Sequence, residues 1–354
     1  MKPLSILLLG LSSFFGSQLL AQEIGSETDP YVLAPSPNTV VWGHYWSETP
    51  PVLQITSGDF VKVHTLITSN PSELEGIGIL PDEIEQELKN VQVVSDRGPG
   101  PHVLTGPIAI EGAEPGDVLE VRILSAELAI PYGINRITDN AFLSDEIFVR
   151  NVRVIRLDRG RMIADFAPGI RIPLSPFFGS MGVAPPKEAG KIRSEPPWIH
   201  AGNLDNKELI PGTTLFIPVH VKGANFQVGD GHAAQGNVEV DQTAIETSMN
   251  GTFQFIVRKD MKLTWPRAET PTHIITMGTD RNLTAATKIA LREMLHYLTT
   301  EKGLAVIDAY PLMSIAVDLS ITQLVDGRKG VHAMLPKAIF VSENETEPSE
   351  AQRP

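Results

Sequence analysis

Cysteine is missing from this 354-residue chain. That removes every thiol nucleophile and thiolate ligand, and it leaves stability to a hydrophobic core rather than to disulfides. Basic runs are missing too. With 29 Lys+Arg against 42 Asp+Glu the formal net charge is −13, so a phosphate backbone is an unfavourable partner and nucleic acid is excluded as a default target. The same balance argues against an anionic membrane or an anionic substrate. Long apolar runs are scarce. One covers Leu4 to Leu11 behind Lys2, is broken by Ser12, Ser13, Gly16 and Ser17, and ends near the small residue Ala21. A charged start, an apolar centre and a small residue at the cut describe a secretory signal peptide over 1–21. The segment is too interrupted for the ~20 apolar residues of a spanning helix. The expectation is an exported protein, periplasmic or secreted, with no membrane attachment after signal removal.

What is present is concentrated in Gly229-Asp230-Gly231-His232-Ala233-Ala234-Gln235-Gly236-Asn237-Val238-Glu239. Glycines here allow positive φ and close approach to a ligand. Asp230, His232, Gln235 and Glu239 supply the oxygen and imidazole donors that a divalent cation accepts. A polar turn between strands is the alternative reading, because Asp-Gly is ordinary turn chemistry. The flanks read as strands, from Pro211 to Val221 upstream and from Val238 to Thr247 downstream.

Elsewhere, turn-then-alternation phrases at Ser57-Gly58-Asp59 and Pro115-Gly116-Asp117 announce half-buried strands. Short strands are expected at Glu146–Val149 and Val152–Ile155. One short helix is expected over Pro81–Lys89, with proline at its first position. The rigid Gly98-Pro99-Gly100-Pro101-His102 loop holds a single imidazole, suited to a ligand or an acid–base role, or else is a simple turn. From Leu283 to Lys302 apolar residues recur at helical spacing and Gly303 closes the segment. A second helix over about 305–317 carries a break at Pro311, a strand follows from Asp318, and Asp326-Gly327 is a turn. The chain thus divides into a mainly β region over 22–260 carrying the candidate metal site, an α+β region over 261–341, and an acidic tail over 342–354 expected to be disordered.

Several phrases in order resemble the acetamidase/formamidase family: Gly43-His44, Gly98-Pro99-Gly100-Pro101-His102, Gly179-Ser180-Met181-Gly182, Gly202-Asn203-Leu204-Asp205, Gly229-Asp230-Gly231-His232, Met277-Gly278-Thr279-Asp280 and Gly330-Val331-His332. The resemblance runs from about Val40 to Phe340. It implies a mainly β fold with jelly-roll-like sandwich and barrel portions plus a smaller α+β portion. It also implies hydrolysis of short aliphatic amides to carboxylate and ammonia in a metal-dependent homodimer. Three positions depart from the family pattern. Asn237-Val238-Glu239 stands where Asp-Gly-Glu is usual, and Asp241 replaces a common cysteine.

Amide hydrolysis needs a nucleophile, a polarised carbonyl and a proton for the leaving ammonia. Thiols are absent, Ser180 lacks the Gly-x-Ser-x-Gly elbow, and activated water remains. The preferred ligands are Asp205, Asp230 and His232, with Glu239 as general base and His102 as a second acid–base group. Asn203, Gly182, Gln235 and His44 are the candidates for holding the substrate. The histidine favours zinc, while an oxygen-rich site suits calcium. The expected substrate is a small neutral amide, since the candidate pocket phrases contain few cationic residues. Two rival readings are a non-catalytic, cation-dependent carbohydrate or small-ligand binding protein, and a hydrolase of another non-peptide C–N bond.

Overall fold

A computed structural model describes residues 25–147 and 149–341. The signal peptide expected over 1–21 and the tail over 342–354 lie outside the described residues. Two large sheets carry the fold. The nine-stranded sheet runs in the order Tyr31–Leu33, Phe60–Thr65, Met249–Arg258, Val118–Leu128, Thr214–Pro218, Arg267–Glu269, His273–Asp280, Lys329–Pro336, Asp318–Gln323. The eleven-stranded sheet is centred on Phe226–His232, which pairs with Phe177–Gly182 on one side and with both Val103–Ile110 and Glu246–Thr247 on the other.

Side-chain periodicity explains how the sheets meet. Along Met249–Arg258 buried and half-buried positions alternate, which is what one core-facing surface demands. Its Phe253 and Phe255 pack with Phe178 and Phe226 of the other sheet, and Val61, Val121, Leu215, Ile108 and Val228 complete that core. By contrast, Phe226–His232 and Phe177–Gly182 are buried at every position. The inner strands therefore have a second covered face, and the functional residues sit there.

The C-terminal strands extend the nine-stranded sheet and are covered by the helix Leu283–Thr300. Asn282 caps this helix by accepting from the Ala285 amide at 3.0 Å. Ala286, Ala290, Met294 and Leu298 face Ile274, Val331 and Leu335. Gly278 permits the approach, because a Cβ there would lie 2.3 Å from the Ala286 carbonyl oxygen.

Three local expectations change. The helix Val306–Ala316 runs through Pro311 without breaking. The missing N–H frees only the Ile307 carbonyl, and Ile307 is 79 % exposed, so water can satisfy it. The segment near Pro81 is a turn, with helices instead at Pro71–Gly76, where Asn70 caps and proline leads, and at Gln86–Asn90. Glu146, Ile147 and Val149 belong to no strand. No helix among the described residues is long and apolar enough to cross a membrane.

Candidate active site

A cavity of about 540 Å³ opens over the covered face of the inner strands. His102, Asn203, Asp230, Glu239, Gln242, Glu246 and Asp326 line it. Strand geometry brings the first group together. Asp230 and His232 end the strand Phe226–His232 two residues apart and would ordinarily share one face. Antiparallel pairing sets Glu246 directly opposite His232, and the Asp230 Oδ2 and Glu246 Oε2 atoms each lie 3.3 Å from His232 Nε2. Asp205 arrives from the turn after Ala201–Asn203, its Oδ1 4.0 Å from His232 Nδ1.

Glu239 is held by the loop on which it sits. The Val238 amide donates to the Thr322 carbonyl at 3.0 Å, and the Leu324 amide donates back to Val238 at 2.9 Å. The same hairpin contributes Asp326. Asp205, Asp230, Glu239, Gln242 and Asp326 all have positive φ, between 47° and 76°. Strained non-glycine backbone gathered at one spot is what a functional site retains.

The hydrogen bonds assign the imidazole. Gln235 Nε2 donates to the Asp205 backbone carbonyl at 2.9 Å, which turns its Oε1 toward His232 Nδ1, also at 2.9 Å. An amide oxygen only accepts, so Nδ1 carries hydrogen and Nε2 is left to face Asp230 and Glu246. This is how a ligating histidine is oriented by a neighbour. Phe177 closes the ring edge-on at 5.1 Å.

Electrostatics pull the acids apart. Burial, then repulsion from Glu239, Asp326 and Asp230, holds the Asp205 carboxyl well above the usual range. Burial, then Asp326 and Glu246, does the same to Glu239, and burial pushes Asp326 up to about 6. Asp230 goes the other way: burial opposes ionisation, yet His102 and His232 keep its carboxyl low. His232 itself is raised well above an ordinary imidazole, burial notwithstanding, by Glu246 and Asp230.

Two overlapping sets could hold a cation: Asp205, His232 and Glu239, or Asp230, His232 and Glu246, with ligand atoms in each set within 4.8 Å of one another. The fit is supported by orphaned atoms. Asp205 Oδ1, His232 Nε2, Glu239 Oε2 and Glu246 Oε2 are buried without a hydrogen-bond partner, a costly arrangement unless something binds them. Gly179 leaves the room, for a Cβ there would stand 2.5 Å from Asp230 Oδ2 and 2.7 Å from both Asp205 Oδ1 and His232 Cε1. Gly179→Ala is therefore expected to fill the space between these atoms, so that the folded variant, with native circular dichroism, takes up less of an added divalent ion than the parent protein. Full metal content in the folded variant would show that the strand gives way.

Asp205, Asp230, His232 and Glu239 thus meet in one cluster, with His102 Nε2 3.7 Å from Asp230 Oδ1 at its edge. Asn203 donates to Asp205 Oδ2 at 2.6 Å and to Asp326 Oδ2 at 3.2 Å, and its own Oδ1 is unpartnered. Gln235 orients His232 rather than lining the cavity. His44 lies behind the wall: its Nδ1 is 3.0 Å from the Trp42 carbonyl, and its Cβ sits under Gly98. Gly182 serves packing, with a Cβ there 2.5 Å from the Gly202 amide nitrogen. Ser180 is bonded to the Tyr45 hydroxyl at 2.9 Å and does not line the cavity. Glu246 and Asp326 are the site residues that sequence reasoning missed. Glu246 directly after Ala244 and Ile245, in a stretch that reads as a strand, is the one signal the sequence offers.

Residues 36–195 and 187–342 match the model of the Acetamidase/Formamidase family. A formamidase of Methylophilus methylotrophus is 29 % identical over 191 residues, 39 % of this chain and 47 % of that protein. The chain spans about half the length of the curated relatives it matches. The crystal structure of an acetamidase from Bacillus halodurans aligns with TM-score 0.74 at 27 % identity, over 87 % of this chain and 98 % of that one. An acetamidase structure from Yersinia enterocolitica gives 0.74 at 28 %, over 90 % and 96 %.

Proposed function

The chain belongs to the Acetamidase/Formamidase family, and from that membership we propose that it is a cation-dependent homodimeric hydrolase of short amides, releasing carboxylate and ammonia, and from its charged, then apolar N-terminal segment that it is exported. The observation that carries the reading is the set of unpartnered donors at the floor of an open cavity. Asp230, His232 and Glu246 would hold the cation, with Asp205 beside them, and the imidazole donor favours zinc over calcium. A divalent ion bound there supplies Lewis acidity, drawing the pKa of a water toward ~7 and stabilising oxyanion charge.

The chain's own residues supply the rest. Glu239, whose Oε2 is unpartnered and which lines the cavity, takes the water proton and returns it to the departing nitrogen. Burial, then repulsion from Asp326 and Glu246, holds the Glu239 carboxyl above its ordinary range, and a positive charge among the neighbouring ligands would oppose that repulsion. Asn203 holds Asp205 in place and leaves its Oδ1 to accept from the substrate's amide N–H. His102 sits beside Asp230 and steadies its negative charge. A cation-dependent binding protein would not require an unpaired carboxylate facing the cavity, and Glu239 favours hydrolysis over that alternative.

The test is ammonia release from formamide, acetamide, propionamide and an unstructured peptide, with metal-stripped and metal-restored protein. Small amides are expected to react in a graded series, since each methylene changes discrimination by only ~1–3 kcal/mol. Faster cleavage of the peptide than of all three amides would overturn the substrate reading.

A further inference from the structure

A second hollow of about 840 Å³ adjoins the cleft and shares Asn140, Arg193, Glu195, Gln242 and Asp326 with it. Their walls differ in charge. The cleft gathers the carboxylates described above, whereas the hollow presents Arg281, Arg328 and Lys329. None of these three cations forms an ion pair among the described residues. The hollow's own Asp139 and Glu195 are held by Arg150 and Arg193. Arg328, partly buried, lies 5.5 Å over the Trp198 ring, and Lys329 Nζ donates to the Arg281 carbonyl at 3.2 Å. Asp280, across the strand pair from Lys329, is the carboxylate whose field reaches Arg328.

Three unpaired cations in one concavity repel one another, and in a chain of net charge −13 their gathering calls for an anion. Arg328 follows Asp326 by two residues on the turn before the strand Lys329–Pro336, so one hairpin sets an acid on the boundary shared by cleft and hollow and a guanidinium in the hollow.

We propose that this hollow is a carboxylate site of the active cleft, one that accepts a small carboxylate anion on Arg328, Arg281 and Lys329. The proposal rests on the amide-hydrolase reading for where that anion arises. Hydrolysis turns a neutral amide and water into a carboxylic acid and ammonia, and the acid ionises among buried carboxylates that repel it. The continuous hollow draws it away. An amido acid with a distal carboxylate would use the same cations while its amide lies in the cleft.

The experiment uses the metal-loaded protein and its Arg328→Gln, Arg281→Gln and Arg328→Lys variants. Acetate binding is measured by calorimetry and as inhibition of acetamide turnover, and kcat/KM is compared for succinamate and the neutral butyramide. Arg328→Gln is expected to weaken acetate binding roughly tenfold, the scale of one charge-assisted hydrogen bond. Arg328→Lys should restore much of it, and kcat/KM for acetamide without added acetate should stay unchanged. A preference for succinamate that also falls in Arg328→Gln identifies the substrate as the source of the anion; inhibition by acetate alone identifies the product. Acetate binding equal in all four proteins, with no preference for succinamate, overturns the site. Arg328-dependent acetate binding in a protein that hydrolyses no amide would leave the site standing and overturn the catalytic reading instead.

Discussion

Glu239→Gln is expected to lower kcat for acetamide by ~10²-fold or more, the usual scale of general acid–base help, while bound metal and the fold are retained. Glutamine keeps the shape and removes the proton acceptor. KM is expected to change little, because Glu239 acts on water rather than on the acyl chain. Metal analysis alongside kinetics separates the two cation sets. If the variant loses its cation, Glu239 is a ligand with Asp205 and His232, and the base must be sought elsewhere. The matching variant Glu246→Gln should do the reverse, losing the cation first, because Glu246 Oε2 faces the same His232 nitrogen as Asp230.

Removing the cation is expected to abolish turnover and to destabilise the fold, with the stability loss growing as pH rises. Asp205, Glu239 and Asp326 have folded-state pKa values above their ordinary ones. A raised carboxyl contributes stability that is fully present below the unfolded pKa of ~4 and is lost as pH rises through the folded value. For Asp326 that window runs from ~4 to about 6. A cation held at a hundredfold excess over its Kd adds about 2.7 kcal/mol and replaces protons that would otherwise be held. Thermal melts of stripped and restored protein at pH 5 and pH 8 should therefore diverge more at the higher pH. Equal gaps at both pH values, or full activity in verified metal-free protein, would refute the cation's place in this cluster.

The sequence made the mainly β character legible because alternation is local. The Phe60–Thr65 and Val118–Leu128 strands follow their Gly-Asp turns as expected, and the long helix begins at Leu283 as its spacing requires. Pro311 reads as a break in the sequence because the rule for proline is local, whereas the cost depends on whether one carbonyl reaches water. His44 and Gly182 drew attention through their phrases, yet adjacency in a motif says nothing about which side of a strand faces the cavity.

By itself, then, the sequence determined the donors of the Gly229–Glu239 stretch, the absence of thiol chemistry and the strand-rich frame, since residue type and short-range period decide these. Only the tertiary structure decided the partners. Glu246 reaches His232 through antiparallel register. Asp326 reaches Asn203 because a hairpin some 120 residues later, tied to the Glu239 loop by the bridge between Val238 and Gln323, folds back over the cavity. The cations of the second hollow likewise come from separate segments, Arg193, Arg281, and Arg328 with Lys329 where the turn enters its strand. Non-local strand pairing sets these distances, and one-residue changes in register would send the same side chains to the opposite face.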